Sequence, residues 1–271
     1  MSGTVQILLK IAAAAGLLVL AFFVLFILNA LRIAVCAYVR KPIRNYCREL
    51  SEKEGFVPYR RIPASAAIIL IAIEDPEFLT HHGVSLMGIL YAVEENRHKK
   101  LTREEMRGGS SITQQLVKNL YLSPKKTYTR KLAELFLSVL AERRISKQQI
   151  LALYFNCVYY GREQYGLGAA ARYYFGVAPC DLGVNQLISL ISILPCPDLY
   201  NPLDDPELFR KTREHSLRQL QDLRCITPEY AAALAAMPWD AADGGRELTI
   251  VRSFLTENPC YRENQTSTEA K

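Results

Sequence analysis

The hydrophobic and polar positions of this chain begin with one long apolar run. Residues 11–31, IAAAAGLLVLAFFVLFILNAL, contain no charged residue and no proline. About 20 helical residues, each rising about 1.5 Å, cross a hydrocarbon layer of about 30 Å. A signal peptide would have a shorter apolar region and a small-residue cleavage site, which is not evident here. The run therefore predicts a single uncleaved transmembrane helix.

After a polar, basic segment at residues 40–62, the pattern becomes helical, because apolar residues recur at spacings of three and four and strict alternation is rare. The apolar run 66–71 predicts a buried segment, and Pro195 should stop a buried helix. The other predicted helices cover residues 146–160 (with a Ser/Gln capping-box start), 181–194, 206–222 and 228–236. We expect a mostly α protein with an anchor and stalk at 1–45, one domain at 46–240 and a polar tail at 241–271.

Composition fits this picture. Half of the 271 residues are hydrophobic and 22% are charged, so a disordered chain is excluded. The net charge of +6 suits an anionic partner, such as phospholipid head groups, a pyrophosphate or nucleic acid. Nucleic acid is disfavoured, because the basic residues are not interleaved with stacking aromatics and it would not explain an anchor. The seven cysteines form no CxxC pair or zinc-type spacing, so free or buried thiols are expected, and a Cys180–Cys196 disulfide stays open.

Two adjacent acids end the apolar run in the stretch AIEDPEFLTHHG, residues 72–83. A buried acid is unfavourable unless it is paired or takes part in chemistry. A carboxylate beside a cationic wall stays ionised and can act as a general base, which is the role we predict for Glu74. Asp75 is predicted to cap a helix or pair with a basic side chain. The alternative is a plain helix N-terminus with acids in its first turn.

The stretch RGGSSITQQLVKNLYL, residues 107–122, predicts a capped helix. Ser111 can cap it with Gln114 as capping-box partner. Ser110, Gln114 and Lys118 follow at i, i+4 and i+8, so a hydroxyl, an amide and an ammonium can line one wall. The alternative is an ordinary amphipathic helix with no binding role.

A third stretch, KKTYTRKLAELFLSVLAERR, residues 125–144, carries a set of cations. Arg130 and Lys131 precede Glu134 by four and three residues, so all three can meet on one helix face. With Lys118 and Lys126 they can hold a diphosphate, with Glu134 orienting the cations. The alternative is a local salt bridge, which contributes about 0.3–0.5 kcal/mol when exposed.

Four motifs in this order resemble those of the peptidoglycan glycosyltransferases, specifically the membrane-anchored monofunctional type, whose catalytic domain also occurs in class A penicillin-binding proteins. The motifs are EDPEFLTHHG, GGSSITQQLVKN, RKLAE and RRISKQQILALYFNCVYYGREQYGLGAAARYYFG. The resemblance runs from about residue 57 to about residue 203. It implies a lysozyme-like, mostly helical fold with two lobes, a larger globular lobe and a smaller membrane-associated jaw, and a cleft between them.

The resemblance also implies a reaction. Glu74 matches the general base that deprotonates the sugar 4-hydroxyl of lipid II, which attacks the lipid-linked donor with inversion and releases undecaprenyl diphosphate. Glu134 matches the second family glutamate, near the leaving diphosphate. No cofactor is firmly implied, although some members use a divalent cation, Mg²⁺ or Mn²⁺, at the diphosphate; the sequence contains no independent metal site. The expected substrate-binding residues are Asp75, Phe78, His81, Ser110, Gln114, Lys118, Asn119, Lys126, Arg130 and Lys131.

Five positions depart from the family pattern. Ser111 replaces a threonine, Ser85 an aspartate, Tyr91 an arginine, and Ala152 and Gln186 each a glutamate. Tyr91 and Ala152 are expected to remove charge near the cleft. These two departures leave open the alternative of a non-catalytic protein that binds lipid II or scaffolds the cell-wall machinery. A second alternative is a lytic enzyme of the same lysozyme-like class, which needs a protonated glutamate as general acid.

The expected location follows from the resemblance. Lipid II is polymerised on the outer side, so the domain should face the periplasmic or outer side of the cytoplasmic (inner) membrane, behind one span. The charges disagree, because only Lys10 precedes the span and several basic residues follow it. Expected partners are lipid II, the growing glycan strand, the membrane and other cell-wall synthesis proteins. Residues 84–90 either seat the jaw in the membrane or pack in the core, and residues 94–107 form either a solvated loop or a flap.

Overall fold

A computed structural model describes residues 3–98, 109–125 and 127–243, and within these ranges the chain is helical and contains no β-strand. The mostly α prediction is confirmed. Short 3₁₀ turns lie at Tyr59–Arg61 and Pro179–Asp181. The helices are α1 Gly3–Arg40, α2 Ile43–Ser51, α3 Ala64–Glu74, α4 Leu86–His98, α5 Ile112–Tyr121, α6 Tyr128–Glu142, α7 Lys147–Cys157, α8 Leu167–Phe175, α9 Val184–Ser192, α10 Pro206–Asp222 and α11 Pro228–Ala236.

Helix α1 has two parts. Its first part exposes large apolar side chains, such as Leu18 at 73% of its surface. Its last part packs on α6, where Ala30 and Ala34 are buried. Within the described residues, α1 is the one helix that is long and apolar enough to cross a membrane.

The segment that follows the anchor forms a packed helix, α2, across the predicted boundary between stalk and domain. In α2, Ile43 is fully buried and the helix packs against α7. The Tyr46 hydroxyl donates to the carbonyl oxygen of Leu120 at the end of α5, over 2.7 Å. The segment after the anchor therefore belongs to the domain.

Helix α3 lies in the centre of the core. Residues 66–73 are all buried, and the helix packs against α9 and α10. A helix that is apolar on every face is stable only when protein surrounds it on all sides. The apolar run ends at Glu74, so this carboxylate stands where the core meets the surface.

The predicted caps and ends are largely confirmed. Both capping boxes are present, Ser111 with Gln114 and Ser146 with Gln149. Helices α10 and α11 have the predicted bounds. The predicted helix 181–194 is shorter, because a 3₁₀ turn and the Gly183 cap precede α9. Cys180 and Cys196 are free thiols, so the disulfide is not formed.

Candidate active site

Glu74 is held by a hydrogen bond from a residue on a different helix. Gln115 Nε2 on α5 donates to Glu74 Oε2 over 2.7 Å. The hydroxyl of Tyr154, on α7, donates to Gln115 Oε1 over 2.8 Å. Three helices thus converge on one carboxylate, and the amide of Gln115 is fixed between its two partners.

Tyr154 can act only as a donor in this arrangement. Its side chain is fully buried. Burial, and then the negative charge of Glu74, raise the pKa of Tyr154 well above its ordinary value, so the hydroxyl keeps its proton. Because the hydroxyl occupies Gln115 Oε1, the N–H side of the amide is turned toward Glu74.

A second carboxylate lies in a nest of cations, as the spacing predicted. The Glu134 side chain is only 2% exposed. Its Oε2 accepts from Arg130 Nη1 over 2.8 Å, and its Oε1 accepts from Lys131 Nζ over 2.5 Å. Lys131 Nζ also donates to Ser110 Oγ over 2.7 Å, which ties the segment before α5 to α6. Two cations and one buried anion leave this cluster with a net positive charge.

Lys118 lies within electrostatic reach of both glutamates. Much of its side chain is exposed, yet partial desolvation is the largest influence on it and lowers the pKa of the ammonium. Glu134 and, more weakly, Glu74 raise that pKa, while Arg130 and Lys131 lower it. Lys118 therefore joins the base and the cation nest in one electrostatic unit.

Asp75, Phe78 and His81 were predicted to bind substrate, but the structure places all three in the interior. Asp75 Oδ2 accepts from the backbone N–H of Ile112, at the start of α5, and from His81 Nε2, each over 2.9 Å. The Gly83 N–H donates to His81 Nδ1, which fixes the proton on Nε2. Phe78 is fully buried. Asp75 thus performs the predicted capping and pairing, and the three residues support the site without lining it.

The remaining predicted residues have mixed outcomes. Gln114 is fully buried, and its Oε1 accepts from the Ser111 N–H in the capping box, so it closes the helix end and does not line the cleft. Asn119 is exposed on α5. Lys126 lies outside the described residues. The sequence patterns did not indicate Gln115 and Tyr154; the second glutamine of the pair Gln114-Gln115 was the available signal.

Local contacts account for several of the unusual residues. Ser85 Oγ accepts from the Gly88 N–H and donates to Glu77, so it starts α4. Gln186 Oε1 accepts from the Gly183 N–H over 3.0 Å, and its Nε2 donates to the Asp240 carbonyl over 3.0 Å, a donation that a carboxylate cannot make.

Ala152 was expected to remove charge near the cleft, but its place in the structure is different. It lines a pocket between α2 and α7, and that pocket includes neither Glu74 nor Glu134. The side chain of Tyr91 lies outside the described residues.

The donor set does not fit a divalent cation held by the protein. Among the described residues, no group of three His, Cys, Asp or Glu side chains is placed to hold a metal ion. Both oxygens of Glu134 are already engaged by cations. Hard cations prefer several oxygen ligands, and this site offers mainly nitrogen donors.

A membrane-length helix followed by a helical domain, with one glutamate held by Gln115 and another in a cation nest, is typical of an enzyme that handles an anionic substrate at a membrane. The sequence model of the family described as Transglycosylase matches residues 40–221. The chain belongs to this family, and it is a peptidoglycan glycosyltransferase of the type found in the penicillin-binding proteins 1.

Individual relatives agree with this membership. The biosynthetic peptidoglycan transglycosylase of Dechloromonas aromatica is 36% identical over 59% of this chain and 68% of its own length. Penicillin-binding protein 1B of Escherichia coli is 37% identical over 75% of this chain, but only 24% of that protein is covered. Penicillin-binding protein 4 of Bacillus subtilis is 36% identical over 65% of this chain and 28% of its own length. The chain thus spans about a quarter of the length of these two penicillin-binding proteins.

Proposed function

We propose that this protein polymerises lipid II into glycan strands, with Glu74 as the general base. The observation that carries the proposal is the placement of two features on the packed helices α5 and α6. Gln115 directs an N–H at the Glu74 carboxylate, and the cation nest around Glu134 lies within electrostatic reach through Lys118. A base and a cationic wall so arranged suit a reaction in which a proton leaves one substrate and a diphosphate leaves the other.

The step balances with the residues at hand. Glu74 takes the proton of the acceptor 4-hydroxyl, and that oxygen attacks the anomeric carbon of the lipid-linked donor from the face opposite the leaving group. The new C–O bond forms as the bond to the diphosphate breaks, so the configuration inverts. The leaving undecaprenyl diphosphate carries the electron pair and is stabilised by Lys118, Arg130 and Lys131. Because Glu134 orients two of these cations, they are in place before charge develops.

The lytic alternative requires a glutamate that carries a proton. A general acid of that kind lies in an apolar pocket. Glu74 instead accepts an N–H donor from Gln115, and such a donor favours the ionised carboxylate. The site therefore supports transfer over hydrolysis. The scaffolding alternative was based on Tyr91 and Ala152. Ala152 now gives it less support, because this residue lines a pocket that does not include Glu74.

We assign no step to a metal ion, since the basic side chains already oppose the charge of the leaving diphosphate. For location, we favour α1 as the anchor and the domain on the outer face of the cytoplasmic membrane. Leu86 and Leu90 on α4 are 72% and 60% exposed, which supports seating of this helix in the membrane interface over packing in the core. The loop-charge rule weakens when a large domain is translocated, so the basic residues after α1 carry less weight.

The test is incubation of the full-length protein in detergent with labelled lipid II, followed by gel separation of the products. The parent protein should give a ladder of glycan strands and release undecaprenyl diphosphate. Glu74→Gln should abolish both with little change in thermal unfolding, whereas Glu163→Gln, at an exposed loop, should retain full rate. A full rate in Glu74→Gln would refute the assignment of Glu74 as the base. Digestion of finished glycan would favour the lytic enzyme. Binding of lipid II without turnover in the parent protein would favour the non-catalytic scaffold.

A further inference from the structure

A second group of cations lies apart from the Glu74 site. A pocket of about 580 Å³ opens between α2 and the N-terminal half of α7. Its volume is within the range of small-molecule sites, about 300–1,000 Å³. None of its lining residues is a carboxylate. The lining consists of Arg44, Arg48 and Arg144 with Cys47, Ser51 and Gln149, above an apolar floor of Phe56, Ala152 and Leu153.

The three arginines are brought together by two helices and a turn. Arg44 and Arg48 lie four residues apart on α2, so they share the face that lines the pocket. Arg144 lies between the end of α6 and the Ser146 cap of α7. Arg44 is fixed in place, because its Nε donates to the Arg144 carbonyl oxygen over 3.2 Å.

This arrangement favours a bound anion. Like charges that share one concave surface repel each other, and an anion placed among them relieves that repulsion. A guanidinium presents two parallel N–H donors, which match the oxygens of a phosphate. Ala152 contributes only a methyl group, and none of the described lining residues supplies a negative charge.

The pocket lies next to the C-terminal end of α1. The hydrogen bond between Arg44 and Arg144 joins the segments that follow the ends of α1 and α6, so these packed helices run parallel and end together. From Ala30, where α1 becomes buried, to Arg40 the helix rises about 15 Å. The pocket therefore opens just beyond the C-terminal end of α1, where Val35 and Val39 are still 48% and 70% exposed.

We infer that this pocket binds a multiply charged phosphate group, separately from the reacting site. The half-buried thiol of Cys47 lines the pocket, so its reactivity reports binding in the pocket. Diphosphate that binds near Lys118 should leave this reactivity unchanged. The full-length protein in detergent is alkylated with iodoacetamide at increasing inorganic diphosphate, and each cysteine is quantified by mass spectrometry. Cys180, an exposed thiol outside the pocket, reports any effect on the reagent.

Diphosphate should protect Cys47 and leave Cys180 unaffected. Arg144→Gln should raise the half-protecting concentration roughly tenfold or more, as expected for one lost charge-assisted hydrogen bond. Arg143→Gln removes an exposed arginine that does not line the pocket, so it should have no effect. Ala152→Glu should weaken protection at least about tenfold more than Ala152→Gln, because the two side chains have similar volume and differ in charge.

Four results would overturn the inference. The first is that diphosphate does not protect Cys47 in the parent protein, and the second is that it protects Arg143→Gln and Arg144→Gln equally. The third is that citrate protects as well as diphosphate does. The fourth is that phosphatidylglycerol micelles protect Cys47 and diphosphate does not. The last two would reassign the ligand to a carboxylate or a lipid head group. The glycan ladder is not a readout here, so failure of the lipid II assay would leave this result intact.

Discussion

Replacing Tyr154 by phenylalanine isolates the support given to the proposed base. The change removes one hydroxyl from a fully buried ring and touches neither Glu74 nor a cation. Gln115 then loses the donor that fixes its amide orientation, so Oε1 can turn toward the Glu74 carboxylate and repel it. We expect a slower enzyme whose base is held less firmly and is protonated more easily.

The hydrogen bonds set the size of the effect. A neutral hydrogen bond such as Tyr154 to Gln115 contributes about 0.5–1.5 kcal/mol, which corresponds to a rate loss of roughly 2- to 13-fold. Gln115→Leu removes the charge-assisted bond to Glu74, about 1.5–3 kcal/mol, or roughly 13- to 160-fold. Because an N–H donor favours the ionised carboxylate, its loss should also move the acid limb of the pH–rate profile upward, and further for Gln115→Leu than for Tyr154→Phe.

Tyr160→Phe is the matched control. Tyr160 is also fully buried, and its hydroxyl has no hydrogen-bond partner among the described residues. Initial rates of lipid II polymerisation are measured across pH for Tyr154→Phe, Gln115→Leu and Tyr160→Phe, with thermal unfolding as a check on folding. The reasoning is refuted if Tyr154→Phe keeps both the parental rate and the parental acid limb, as Tyr160→Phe should.

Two further predictions concern the cations and the backbone. Glu134→Gln should move the alkaline limb of the pH–rate profile to lower pH, because the Glu134 charge raises the pKa of Lys118. Arg130→Gln should move it to higher pH, because the Arg130 charge lowers that pKa. Profiles of the two variants that shift in the same direction would contradict this. Gly83→Ala should destabilise the fold by about 2–5 kcal/mol in chemical denaturation, because φ is +102° and a Cβ would lie 2.7 Å from the backbone of α6. Gly176→Ala is its control, at φ +70° with no atom within 4 Å, and should lose only about 1–2 kcal/mol; equal losses would exclude the close contact as the cause.

Local chemistry made part of the site predictable. Arg130, Lys131 and Glu134 lie within one helical turn, so their spacing alone brings the charges together, as observed. The capping box of Ser111 and Gln114 is equally local. Such contacts span at most five consecutive residues, so they depend on the helix itself and not on tertiary packing.

The rest depends on contacts between distant segments. Gln114 and Gln115 are adjacent and chemically identical, and both are compatible with a helix that begins at Ser111. Only the packing of α5 against α7, which brings Tyr154 to the second glutamine, decides which amide meets Glu74. In the same way, His81 and Phe78 look like exposed polar and aromatic ligands in a loop, until the fold buries them.

Asp75 explains why the proposed base and its support stay in register. It follows Glu74 directly, and its carboxylate accepts the N–H of Ile112, three residues before Gln115. One residue pair therefore fixes the end of α3 to the start of α5, and the Glu74–Gln115 contact lies one helical turn away. A buried carboxylate that satisfies a helix N-terminus resists displacement, because a broken bond would leave both groups unpaired. The adjacent acids that end the apolar run thus have different partners: Asp75 joins the two helices, and Glu74, the proposed base, accepts from Gln115.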